Sequence, residues 1–274
     1  MPVTTLLVEG ELDAQILQPF FAGQPVLEAA KASKNALAPR ARTERQKGLT
    51  GTCYLRDRDF DYLPPDDTAK PPVDKEEDGS ILGWRWARHE IENYMLEPAL
   101  VENCLGITDD SYRHEVSEAA KRISHYEAAR WTIGQARSEL PPIVKFQTRP
   151  DDSGRKEFYV PENLDKASMA EWATRHAAAF LEKVSQRLDK EFVKNTFGEF
   201  TERFADGLLD DSRNVLLWFS GKDLMAAISQ WFEDNGIGSP REFRSRMRNW
   251  MSENTQVVLT EFPEWRKLME AVRQ

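Results

Sequence analysis

Hydrophobic positions along this chain follow two rhythms. In the first hundred residues they come as short runs closed by turn-forming residues: Leu6-Leu7-Val8, Val26-Leu27, Thr52-Cys53-Tyr54-Leu55 and Ile81-Leu82-Gly83-Trp84. Runs of this length, rich in β-branched and aromatic residues, predict buried strands. Residues 11–21 separate the first two runs with helical spacing, and strands alternating with helices predict an α/β fold built on a mostly parallel sheet flanked by helices. Beyond residue 109 the rhythm lengthens. Tyr112, Val116, Ala119, Ala120, Ile123 and Tyr126 recur at helical spacing and predict one long helix over 111–139, stopped by Pro141-Pro142. Further helices are expected over 166–190, where Trp172, Ala179, Phe180, Val184 and Leu188 form a stripe, and over 191–204. Short extended pieces are expected at 143–146 and 157–160. The apolar run 215–219 reads as a strand that rejoins the sheet, and helices over 222–234, 240–254 and 260–273 close the chain. The expected organisation is a sheet-containing core at 1–105, a mainly helical insertion or second subdomain at 106–212, and a return to the core at 213–274.

The strand ends carry the chemistry. The first run stops at Glu9-Gly10, and Asp13 follows four residues after Glu9. Carboxylates placed there lie at the carboxyl edge of the sheet, where open α/β sheets keep their sites, and a helix starting at once turns both toward one point. The third run ends in Arg56-Asp57-Arg58-Asp59-Phe60-Asp61. Side chains alternate along a strand, so Asp57, Asp59 and Asp61 share a side if the strand continues. Two readings fit these residues: a solvated acidic turn, or carboxylates gathered around a hard cation with oxygen ligands. Glu9 and Asp13 favour the second. The run 81–86 delivers His89, Glu90 and Glu92 to the same edge. Residues two apart diverge on a helix, so at most one of Glu90 and Glu92 points into a site there, and either acts as a supporting residue. His89 is a candidate base.

Charge modifies this picture locally. Net charge is −9, which argues against diffuse binding of nucleic acid by the whole surface. Residues 31–47 are the basic exception, with Lys31, Lys34, Arg40, Arg42, Arg45 and Lys47 against Glu44. Lysines and arginines of this kind hold a phosphate backbone or simply face solvent. Arg241, Arg244, Arg246 and Arg248 make a second basic face. Residues 61–80, rich in Pro, Asp and Glu, read as an exposed loop. Lys222 follows the 215–219 run at an expected strand-to-helix turn, where an ammonium and a helix N-terminus both favour anions. The glycine pattern of a phosphate-binding loop is missing around it, so nucleotide binding by this chain is not expected. Two cysteines supply neither a disulfide framework nor a metal-binding spacing. No apolar run approaches membrane-spanning length and no leader pattern opens the chain, so no membrane association and a cytoplasmic location are expected. Eight tryptophans point to aromatic packing or a partner surface.

Four segments in order carry a resemblance: Val8-Glu9-Gly10 with Asp13, Asp57-Arg58-Asp59, Arg88-His89-Glu90-Ile91-Glu92-Asn93-Tyr94-Met95-Leu96, and Gly221-Lys222-Asp223-Leu224. Together they resemble the Toprim fold of topoisomerases, primases and OLD-type nucleases, and within it the Toprim effector of the PARIS anti-phage system. The resemblance covers about residues 4–98 and 215–230. It implies a Mg²⁺- or Mn²⁺-dependent nuclease. Asp57 and Asp59 would hold the ion, with Glu9 as a further ligand or general base, Asp13 and Asp61 as additional ligands, and Lys222 offsetting charge on the phosphate. Lys31, Lys34, Arg40 and Arg42 would contact nucleic acid, tRNA before DNA. It also implies an ABC-type ATPase partner in trans that restrains the nuclease, docked on the tryptophan-bearing helices, and a homodimer when active. The alternative is a catalytically inactive Toprim-like module that regulates such an ATPase.

Overall fold

Leu6, Leu7 and Val8 are buried on both faces, as befits an interior strand of a mostly parallel sheet. They belong to strand β1 (Thr5–Val8) in a computed structural model that describes residues 2–30, 36–138, 160–184, 190–205 and 207–274. Helix α1 (Glu11–Phe21) follows the Glu9-Gly10 turn and buries Ile16, Leu17, Phe20 and Phe21. Strand β2 (Val26–Ala29) pairs parallel with β1, placing Leu6 opposite Leu27. Helix α2 (Leu37–Gln46) covers the sheet through Leu37 and Ala41, which pack with Leu7, Tyr54 and Leu82. Strand β3 (Thr52–Arg56) pairs with the other side of β1, placing Leu6 opposite Cys53.

The stretch 61–80, expected to be a loop, contains a strand. Strand β4 (Val73–Lys75) runs antiparallel to β5 (Ile81–Arg85), which pairs parallel with β3. Its three residues follow Pro71-Pro72, and proline confines a strand to a sheet edge, which is where β4 lies. What holds it is charge: Asp74 meets Arg56 and Arg85 at 3.0 Å each and accepts the Tyr54 hydroxyl at 2.6 Å. The sheet order is therefore β2-β1-β3-β5-β4. The chain winds outward from β1 in both directions, so the topological switch point lies between β1 and β3.

After β5 come short helices α3 (Glu92–Met95) and α4 (Pro98–Leu105). The 30-residue helix α5 (Asp109–Ser138) matches the expected long helix, and its stripe from Tyr112 to Tyr126 is buried. Helices α6 (Lys166–Val184) and α7 (Lys190–Ala205) follow. The extended pieces expected at 143–146 and 157–159, and residues 185–189 of the expected helix, lie outside the described residues.

The 215–219 run is not a strand. It lies in helix α8 (Ser212–Trp218), with Phe219 just past its end, and Asp211 caps the helix by accepting the Arg213 amide at 2.9 Å. A continuous apolar run has no period that separates a buried strand from a buried helix. Here the capping residue decides it, and the Trp218 carbonyl accepts the Trp131 indole N–H of α5 at 2.8 Å. Helices α9 (Gly221–Ala227), α10 (Ser229–Asp234), α11 (Pro240–Glu253), α12 (Thr255–Glu261) and α13 (Pro263–Arg273) complete the chain.

The chain divides into two compact units. One comprises Met1–Arg58, Pro64–Gly106 and Arg241–Gln274, and holds the sheet. The other comprises Asp59–Leu63 and Ile107–Pro240, and is helical. Residues 213–240 thus group with the helices and 241–274 with the sheet. The eight tryptophans serve packing: Trp84, Trp86, Trp131 and Trp265 are buried and the other four half-buried. Among the described residues, no helix is long and apolar enough to cross a membrane.

Candidate metal centre

Strands β1 and β3 end side by side, and the residues that follow them meet. Glu9, directly after β1, accepts the backbone N–H of Asp57, directly after β3, on its Oε1 at 3.0 Å. This bond spans the switch point of the sheet. Beyond Asp57 the extended conformation ends: Asp59 has φ 48°, in the left-handed region that non-glycine residues seldom occupy. Aspartate tolerates that region better than most residues.

The consequence is a close group of acids. Asp57, Asp59 and Glu90 each present a carboxylate oxygen, all within 4.8 Å of one another. Asp57 and Asp59 are half-buried and Glu90 is only 4% exposed. Three carboxylates this close repel unless a proton or a cation intervenes. Oxygen-only donors suit a hard ion: Mg²⁺ takes one or two carboxylates and keeps several waters, and Mn²⁺ favours similar donors. The donor set therefore fits a divalent cation of this class.

Glu90 is held in place by its own segment. Its backbone N–H donates to the Asn93 side-chain oxygen at 3.2 Å. Glu92, two residues on, turns away and meets Arg244 of α11 at 3.3 Å. Both were expected as supporting residues, with Glu92 and Asn93 favoured by the resemblance and Glu90 as a further candidate; the structure gives Glu90 an oxygen in the group and Glu92 an arginine partner.

Glu9, Asp13 and Asp61, the other acids that the sequence offered as ligands, are not among these three. Asp13 is buried and its Oδ2 accepts the Gly10 N–H at 2.9 Å, which closes the first turn of α1. Asp61 pairs with Arg137 of α5, because the left-handed turn at Asp59 ends the alternation that would have aligned it with Asp57 and Asp59. His89 has no exposed surface, so its imidazole lies inside the protein. Lys222 is the second residue of α9 and half-buried. It follows a helix rather than a strand, with Ser220 as the cap of α9. Its neighbour Asp223 is buried against Arg130. Arg40 pairs with Glu28 and Arg42 with Glu76, both at the surface. Lys31 and Lys34 lie outside the described residues.

Two residues that sequence reasoning did not single out fix the geometry. Arg58, flanked by Asp57 and Asp59, is 1% exposed, and its Nε donates to the Ala87 carbonyl at 2.8 Å. Glu264 of α13 accepts the Ala87 N–H at 2.7 Å and the Tyr94 hydroxyl on its other oxygen. One peptide group on each side of Ala87 is thus clamped three residues before Glu90. Burial pushes the Glu264 carboxyl up to about 7, against the pull of Tyr94, the Ala87 amide and Arg88 toward the charged form. The same burial, with Glu264 beside it, raises the Tyr94 phenol well above its ordinary value. Neither residue had a sequence signal. An arginine between two aspartates reads as solvated, and Glu264 lies 177 residues from Ala87 in the chain.

No protein-family model matches this chain, and no curated protein matches it in sequence.

Proposed function

We propose that this chain is a divalent-metal-dependent phosphodiesterase acting on nucleic acid, with a Toprim-like sheet. The observation that carries the reading is the convergence of Asp57, Asp59 and Glu90 to within 4.8 Å at the carboxyl edge of the sheet. The switch point between β1 and β3, bridged by Glu9, is where open α/β sheets bind their ligands.

Asp57, Asp59 and Glu90 would hold Mg²⁺ or Mn²⁺, which supplies an activated water and a positive charge against the phosphate. Glu9 holds the Asp57 backbone in place and sits beside the ion-binding group, the position for a residue that accepts a proton from an attacking water. Arg58 and Glu264 keep the segments bearing Asp57 and Glu90 in register. The resemblance extends the reading to an anti-phage effector that cleaves tRNA when an ATPase partner in trans releases it, with Lys222 balancing phosphate charge.

The test is cleavage of labelled tRNA and single-stranded DNA by the purified chain with Mn²⁺, beside Asp57→Asn and Glu9→Gln. Cleavage should vanish in both variants, with metal affinity reduced in Asp57→Asn and the circular dichroism unchanged. Equal cleavage by wild type and Asp57→Asn would end the proposal.

A further inference from the structure

Helix α11 stands against the segments that carry the acidic group. Its Arg244 meets Glu92, two residues after Glu90, at 3.3 Å. Its Arg248 donates from Nη1 to Gln15 Oε1 at 2.9 Å, and Gln15 lies two residues after Asp13 on α1. The helix thus ties the segment leaving β5 to the helix that starts after Glu9.

Phe243, Met247 and Met251 anchor α11 in the core. Helical spacing places Arg241, Arg244 and Arg248 together on one flank. Their charges are not equally used. Arg244 is neutralised by Glu92. The Arg248 guanidinium is oriented by neutral side-chain amide oxygens, Gln15 Oε1 at 2.9 Å and Asn249 Oδ1 at 3.1 and 3.2 Å. Arg241 is exposed. Among the described residues, neither Arg241 nor Arg248 has a carboxylate within ion-pair distance. By contrast, Arg40 and Arg42 are both paired with glutamates.

We infer that the Arg241–Arg248 flank of α11 is a phosphate-backbone contact that leads a nucleic-acid strand to the acidic group. The inference rests on the nuclease reading above and names the surface that reading lacks. An uncompensated guanidinium held by neutral acceptors is oriented in advance and keeps its full charge for a phosphate. Seven residues of helix separate the two arginines by about 10 Å, far enough for each to meet a different phosphate of one strand. In a chain of net charge −9 a strand would be repelled elsewhere, so a local basic flank beside the site is where it would be received.

The experiment measures fluorescence anisotropy of a labelled single-stranded oligonucleotide with the full chain, in Ca²⁺ to suppress cleavage, from about 50 to 200 mM salt. Wild type is compared with Arg241→Gln/Arg248→Gln and with Lys267→Gln, which removes a surface charge already paired with Glu270 at 2.7 Å, and Mn²⁺ affinity and helicity are read on each. The double variant should lose about tenfold or more in affinity at low salt. Its plot of log affinity against log salt should flatten by about 1.4, the loss of two phosphate contacts on a single strand. Lys267→Gln should match wild type. An unchanged slope in the double variant, with Mn²⁺ affinity and cleavage intact, overturns this inference and leaves the nuclease reading standing. Wild type that binds no Mn²⁺ overturns the nuclease reading instead. Competition by poly-glutamate as strong as by unlabelled oligonucleotide would assign the flank to an acidic polypeptide and overturn the inference.

Discussion

At Asp59, backbone and side chain make opposing demands. Its φ of 48° costs a non-glycine residue on the order of 1 kcal/mol, and its carboxylate stands among like charges. Such strain persists where the surroundings impose it, and it concentrates at functional sites. Asp59→Asn separates the two demands, since asparagine keeps the left-handed turn and loses the charge. In EDTA this variant should keep the melting temperature of wild type, because the left-handed turn is retained. Calorimetric titration should show Mn²⁺ affinity reduced by at least the roughly tenfold that even loss of an outer-shell partner causes. A lower melting temperature in EDTA with unchanged metal affinity would make Asp59 a structural residue. The acids at 57 and 59 were legible because they close a β-prone run. The direction of Asp61 was not, because alternation holds only while the strand lasts and one left-handed residue ends it.

Glu264 makes a second prediction at this scale. Its native pKa of about 7 exceeds the ordinary 4.5, so the folded state prefers the protonated form. That stabilisation is complete below pH 4.5 and is lost as the pH rises through 7. At about 1.4 kcal/mol per unit, it amounts to about 3 kcal/mol at most. Glutamine still accepts from Ala87 and can donate to the Tyr94 hydroxyl oxygen. Urea midpoints should therefore fall from pH 5 to pH 8 in wild type and fall much less in Glu264→Gln. Parallel slopes in the two proteins would refute the buried-acid account.

Elements were readable where the hydrophobic pattern was distinct, as short apolar runs closed by turn residues in β1, β3 and β5 and as helical spacing in the 30-residue α5. They were misread where stability comes from elsewhere. Strand β4 exists through Asp74 and its two arginines, and helix α8 through the Asp211 cap, and neither shows in a hydrophobic pattern. Gly83 shows how tightly the strands are set. A Cβ there would lie 2.6 Å from the Tyr54 ring and from its carbonyl oxygen, across the β3–β5 pair. The ring cannot simply swing aside, because its hydroxyl is bound to Asp74 at 2.6 Å. Gly83→Ala should destabilise by about 1–3 kcal/mol, the usual cost of overpacking, seen as a lower urea midpoint. Retained stability would show that the strands yield more easily than these contacts imply.

The whole molecule is discontinuous in sequence: helices α11 to α13 belong with a sheet whose strands end by residue 85. No local pattern reveals that membership, which rests on long-range contacts. Trp265 of α13 is the centre of these. Its ring stacks on Trp86 at 5.3 Å and meets Phe20, Tyr94 and Phe262 at 5.1 to 5.8 Å. The same helix closes on the chain start through the Val3 N–H and the Val272 carbonyl at 3.0 Å. Removing a buried aromatic ring costs about 3–5 kcal/mol, and here the loss falls on a joint between the first hundred residues and the last thirty. Trp265→Ala should therefore raise amide exchange in α1, in β5 and in the segment 86–96 together, as one cooperative unit opening, measured by hydrogen exchange with mass spectrometry. Mn²⁺ affinity should fall with it, because the Glu264 clamp on Ala87 sits one residue from the lost ring and holds the segment bearing Glu90. Increased exchange confined to α13, with β5 and residues 86–96 as protected as before, would show that the C-terminal helix covers the sheet unit without organising its acidic edge.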